Sequence, residues 1–204
     1  SDLSTHANLV GSQTLSLSGT GTLADANVGS NKTVTINTLA LADGSNGGLA
    51  ANYTLTGGTH QLTVNQRPLN ATLARQYDAT TTAAGSTLSS FDALQGGENL
   101  TMSGSGTVSS KNVANGQSVT VGSLALADGT GLASNYSLNS AALNIAKRVV
   151  NVSGTRLYNA LSTAVASDLS TMTNLVGSET LVLSNSGTLA DANVGSNKTV
   201  TINT

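Results

Sequence analysis

Along much of the chain, apolar side chains fall on every second position. Leu15 and Leu17 alternate with Ser16 and Ser18, and Val34 and Ile36 with Thr33, Thr35 and Asn37. Tyr53 and Leu55 flank Thr54, and Leu62 and Val64 flank Thr63. Successive strand side chains point to opposite faces, so a period of two marks a strand with one apolar and one polar face. β-Branched residues favour that geometry, and Gly, Asn and Asp supply the turns between such stretches. Short strands at this spacing predict an all-β fold of small sandwich-like units.

The same words recur. "GTLADANVGSNKTVTINT" stands at 21–38 and again at 187–204, letter for letter. An intermediate copy lies between: "NKTVTINTLALADG" (31–44) matches "GQSVTVGSLALADG" (116–129). "AANYTL" (50–55) matches "ASNYSL" (133–138), "QLTVNQR" (61–67) matches "ALNIAKR" (142–148), and "RQYDATTTA" (75–83) matches "RLYNALSTA" (156–164). An active site is seldom needed twice in one chain, whereas a building block often is. The repeat defines tandem modules of about eighty residues in an elongated rod, and the chain is expected to be a length of a longer array. A β-solenoid, which would need a coil repeat of about twenty to thirty residues, is the alternative architecture.

Strand parity suggests where one module passes to the next. Apolar residues sit at even numbers at Leu62 and Val64 and at odd ones from Leu69 through Ala71 to Leu73, with the change across Gln66-Arg67-Pro68. The second change, from Leu143 and Ile145 to Val150 and Val152, spans Lys147-Arg148. A one-residue slip turns every side chain to the other face, so an unbulged strand cannot serve one core across such a change. This phasing makes 66–146 a complete module, 1–65 the C-terminal part of one and 147–204 the N-terminal part of another. A second phasing starts modules at Ser1, Ser86 and Ser167. On the first phasing the two incomplete ends are complementary, which allows end-to-end self-association.

Composition narrows the function classes. Charged residues make up 9% of the 204 and the net charge is −2. Without a basic patch to neutralise phosphates, a nucleic-acid partner is not expected. No apolar run is long enough to predict a membrane-spanning helix, and cysteine is absent. "GTGTLA" (19–24) has a loose dinucleotide-fingerprint form, but it precedes a predicted strand where that fingerprint needs a helix, so its glycines read as turn residues. His6 and His60 have no recurring ligand companions, which argues against zinc or a triad. Asp25, Asp43, Asp128 and Asp191 stand singly in Gly/Asn loops and read as Asx turns in preference to calcium ligands. Lys32 and Lys198 occupy one repeat position, with Gln117 in the middle copy, and read as solvated turn lysines. The T-x-T rows at Thr33, Thr35, Thr199 and Thr201 read as a solvated strand face. Tyr53 with Tyr136, and Tyr77 with Tyr158, recur in pairs and read as core or corner anchors. No nucleophile, base and acid cluster or recur, so no catalytic residue, cofactor or metal is assigned and no enzyme is expected.

At "YDATTTA" (77–83), "NVGSNKTVTI" (from 27 and from 193) and "LAANYTL" (49–55), the chain resembles the YDG/MBG-type tandem repeats of large bacterial adhesins. These are similar to pieces of filamentous-haemagglutinin-like exoproteins exported by two-partner secretion. The resemblance covers essentially the whole chain. It implies a structural stalk segment at the bacterial cell surface or in a biofilm matrix, with exopolysaccharide or neighbouring adhesin molecules as partners. A polysaccharide- or protein-binding module of the same adhesin is the alternative.

Overall fold

The computed structural model describes residues 8–202. Its regular structure is all β apart from four single-turn 3-10 helices, with no α-helix among the described residues. The strands are β1 (Leu15–Ser18), β2 (Gly21–Thr22), β3 (Gly29–Thr33), β4 (Thr35–Ile36), β5 (Ala40–Asp43) and β6 (Gln61–Val64). Then follow β7 (Arg67–Gln76), β8 (Thr82–Ala84), β9 (Leu88–Phe91), β10 (Leu100–Ser103), β11 (Ser105–Thr107), β12 (Ala114–Ser118), β13 (Ala125–Asp128) and β14 (Tyr136–Ala146). The last are β15 (Asn151–Ser153), β16 (Thr163–Val165), β17 (Thr171–Thr173), β18 (Ser186–Leu189) and β19 (Val200–Ile202). The parity changes fall between strands: β6 ends at Val64 and β7 opens at Arg67, and β14 ends at Ala146 and β15 opens at Asn151.

The sheets repeat with the sequence. The middle stretch combines β10 with β13, β8 with β11, and a four-stranded sheet ordered β12–β14–β7–β9. The first stretch repeats the β10–β13 pair as β1–β5 and the β12–β14 pair as β3–β6. The last repeats β7–β9 as β15–β17 and β8–β11 within β16–β18–β19. Thr22 opposite Thr35, Thr107 opposite Thr120 and Thr188 opposite Thr201 are one ladder position seen three times. The described residues form neither a closed barrel nor a solenoid.

By compactness the chain forms two units. The first comprises Ser1–Asn70, Phe91–Met102 and Ala125–Asn139, as far as these are described. Its core joins Leu69, Leu100 and Tyr136, with Phe91, Leu94 and Leu126 packed against them. The second comprises Ala71–Ser90, Ser103–Leu124 and the described part of Ser140–Thr204. Its core is built from β7 and β14, where Ala71, Leu73, Ala141, Leu143 and Ile145 alternate with more exposed neighbours. That alternation is the period-two pattern realised: one face of each strand is dry and the other wet.

One strand expectation and one turn-glycine reading need correction. Tyr53–Leu55 is not a strand, although its counterpart Tyr136–Leu138 opens β14. The first copy has extra residues before His60, and Gly58 N donates to Leu55 O to close a turn there. The glycines of "GTGTLA" also divide into two roles. Gly19 takes a turn with φ of +80°. Gly21, in β2, is a packing glycine: a Cβ there, or at Gly106 or Gly187, would stand under 3.0 Å from Val34, Val119 or Val200.

Candidate functional site

The recurring polar residues form a set of local clasps. Asp25 Oδ1 accepts from Asn27 N at 2.8 Å, as an Asx turn requires. The ammonium of Lys32 then donates to Asp25 Oδ1 at 2.5 Å, Asp25 O at 3.0 Å and Asn27 O at 2.7 Å. Asp191, Asn193 and Lys198 repeat this at 2.5, 2.9 and 2.8 Å. In the middle copy Ser110 Oγ caps Asn112 N and Gln117 Nε2 donates to Asn112 O at 3.0 Å, a neutral version of the same clasp. The lysine side chains are 14% and 21% exposed, so they are not the solvated turn lysines expected. Three oxygens saturate the three donors of each ammonium. The lysine hydrogen bond, followed by the Asn backbone N–H, holds the carboxyls of Asp25 and Asp191 below their ordinary value.

Asp43 and Asp128 depart from the Asx-turn expectation. Their Oδ1 atoms reach across the loop to Ala50 N and Ala133 N, each at 2.7 Å, and cap a 3-10 turn. That turn delivers the tyrosine. Tyr53 donates to Gln13 Oε1 at 2.5 Å and accepts from Val10 N at 3.2 Å. Tyr136 donates to Glu98 Oε2 at 2.5 Å and accepts from Gln95 N at 3.2 Å. The Glu98 hydrogen bond, reinforced by burial, raises the Tyr136 phenol above its ordinary value. Both tyrosines are the anchors expected. Tyr77 donates instead to Glu179, which occupies the repeat position of Glu98 and Gln13. Tyr158 is 64% exposed and anchors nothing in the described core.

Of the remaining candidates, His60 Nε2 pairs with Leu55 O at 2.8 Å inside its turn. His6 lies outside the described residues. Thr33, Thr35, Thr199 and Thr201 are exposed, as a solvated face requires. Among the described residues, no group of three or more His, Cys, Asp or Glu is placed to hold a metal. Sequence reasoning missed the arginine clasps: Arg67 Nε donates to Ala93 O, and Arg148 Nε to Asn174 O, both at 2.8 Å. Their equal spacing in the repeat was the available signal.

The clasp that bears the repeat's signature lies after β7. Arg75 donates to Asp78 and to Thr80 O, and Asp78 Oδ1 accepts from Thr80 N at 2.9 Å, so Tyr77-Asp78-Ala79 forms a pinned corner. A sequence model of the YDG domain matches residues 1–61, 59–145 and 142–204. The chain belongs to the YDG domain family. No curated protein and no solved structure matches it.

In the YDG corner of this chain, Ala79 adopts φ of +63° and its counterpart Ala160 +61°, a region that glycine enters without strain. Asn159 replaces Asp78 in the third YDG module, and Arg156 turns to Asp168 Oδ2 at 3.0 Å. That module also carries two surface grooves. One of about 630 Å³ is lined by Val150, Leu175, Val176, Glu179 and Leu181, among others. One of about 940 Å³ is lined by residues of β15 and by residues 192–200. Leu181 is 58% exposed, whereas its counterparts Leu15 and Leu100 are 6% and 5% exposed.

Proposed function

We propose that the chain is a structural spacer segment of a large secreted bacterial adhesin, serving cell–cell adhesion and biofilm matrix assembly outside the cell. One observation carries this reading: three tandem YDG modules account for the whole chain, with recurring Asp and Lys side chains and the Tyr53/Tyr136 pair engaged in clasps inside them. Asp25, Lys32, Asp43 and Tyr53 and their counterparts bond within their own repeats, which suits a part whose work is to hold shape under load. Repetition sets reach, and ladder hydrogen bonds resist extension. Export by two-partner secretion follows from the same resemblance. A second reading, in which exposed Ser/Thr faces grip an exopolysaccharide or a protein partner, is favoured by the uncommitted row of Thr33 and Thr35.

The spacer reading is tested by small-angle scattering on chains of three, six and nine modules. Compact-domain scaling gives a radius of gyration of about 12 Å for one unit, hence roughly 30 Å of length each. The expected result is a maximum dimension rising linearly with module number by about that increment. A profile that stays spherical as modules are added overturns the reading.

A further inference from the structure

Inside the first compact unit, two hydrogen bonds cross from the first YDG module to the middle one. Val28 N donates to Asn135 Oδ1 at 2.9 Å, and Asn135 Nδ2 donates to Asn27 Oδ1 at 2.9 Å. The partners are 107 and 108 positions apart, so local chain geometry does not bring them together. Gln66, in the link between β6 and β7, adds a bond from Nε2 to Ser134 O at 3.1 Å and ties that link to the same turn. All five residues belong to the one unit.

Both sides of this contact are held in place by the clasps described above. The backbone of Asn27 is gripped at each end: its N–H donates to Asp25 Oδ1 and its carbonyl accepts from Lys32 Nζ. Asn135 ends the 3-10 turn Ala133–Asn135. Asp128 Oδ1 takes the N–H of Ala133, and Asn135 N donates to Leu132 O at 3.0 Å. Surfaces fixed in advance lose little freedom when they dock. A primary amide can accept at one atom and donate at the next, which is what an N–H beside a carbonyl oxygen asks of a partner. Val28 is half-buried, so its N–H would lose its bond without regaining full access to water if Asn135 were removed. Both halves of the contact recur in the letters. Asn27-Val28 returns as Asn112-Val113 and Asn193-Val194, and Asn135-Tyr136 matches Asn52-Tyr53.

We propose that the outer face of the Ala133–Asn135 turn is a docking surface for the preceding module, with Asn135 recognising that module through Asn27 and Val28. The clasps then have a second task. The Asp25–Lys32 pair presents one side of a joint and the Asp128–Ala133 bond presents the other. A covalent link alone would let two modules swivel about it, whereas a two-point amide contact fixes their orientation. The use of this joint as a stiffener rests on the spacer reading; the joint itself does not.

The test uses the full chain, labelled for nuclear magnetic resonance. Residual dipolar couplings from residues 15–64, and from 91–102 with 125–139, are expected to fit one alignment tensor. Asn135→Ala should make the two groups need separate tensors and should speed amide exchange at Val28 roughly tenfold or more. The amides of Leu73 and Leu143 should exchange as before, which shows the β7 and β14 core intact. Variants on the other side of the joint leave the turn untouched. Asn27→Ala should loosen the joint, and Asn27→Asp, which keeps an acceptor there, should not. Asn27→Asp combined with Asn135→Asp sets two carboxylates face to face and should part the groups, less so in concentrated salt. Two tensors in the unaltered chain, one tensor or an unchanged Val28 exchange rate in Asn135→Ala, or a double variant that stays joined each overturns the proposal. A loose joint still lengthens with every module added, so the scattering test of the spacer reading is decided separately.

Discussion

Individual side chains decide where each module is pinned, and the internal copies act as natural substitutions. Where Asp25 and Lys32 give an ionic clasp, Ser110 and Gln117 give a neutral one, with the same carbonyl of an Asn between them. Because folding depresses the carboxyl pKa of Asp25 and Asp191 below the unfolded value of 3.8, their contribution is present above about pH 4. It is lost as pH falls through the depressed folded value. Acid titration of thermal stability should therefore show a decline below about pH 4. That decline should flatten in a chain carrying Asp25→Ser, Lys32→Gln, Asp191→Ser and Lys198→Gln. The corner alanines give the opposite kind of handle. Ala79 and Ala160 hold a left-handed backbone that costs an L-residue free energy and glycine almost none. Ala79→Gly should stabilise the chain by about 0.5–1 kcal/mol in urea denaturation, after the greater freedom of glycine in the unfolded state is offset.

At the level of strands and sheets, stability concentrates in β7 and β14. Leu73, Leu143 and Ile145 are fully buried, and Tyr136 is the one tyrosine in the buried core. Leu143→Ala should cost about 2–5 kcal/mol by chemical denaturation, whereas Leu181→Ala, exposed in the single chain, should change stability by about 0.5 kcal/mol or less. These strands were legible in the sequence because a half-buried strand writes its burial as alternation, and β7 and β14 show it without a break near their ends. Tyr53–Leu55 alternates equally well and forms no strand, since the turn closed by Gly58 follows it directly. Periodicity reports which face is apolar. It does not report whether a neighbouring strand is in reach.

The architecture of the chain as a set of modules was also legible, because repetition survives in the letters even where strands are only two to five residues long. The clasps were less so. Lys32 looked like a solvated lysine because its three acceptors include two backbone carbonyls, which leave no trace in composition. Asp43 and Asp128 looked like Asx turns because a reach of five to seven residues along the chain depends on the loop's own path. Glu179 gave no hint of meeting Tyr77, a partner 102 positions away.

One consequence of the alternating clasps concerns failure. A row of links all fastened the same way would let go together under one insult. Here the ionic fasteners sit at Asp25 and Asp191 and the charge-free one at Ser110 between them, so acid or concentrated salt loosens the outer links and leaves the central one shut. Loss of the clasps is then expected to be staged, the ionic pair going before the neutral one.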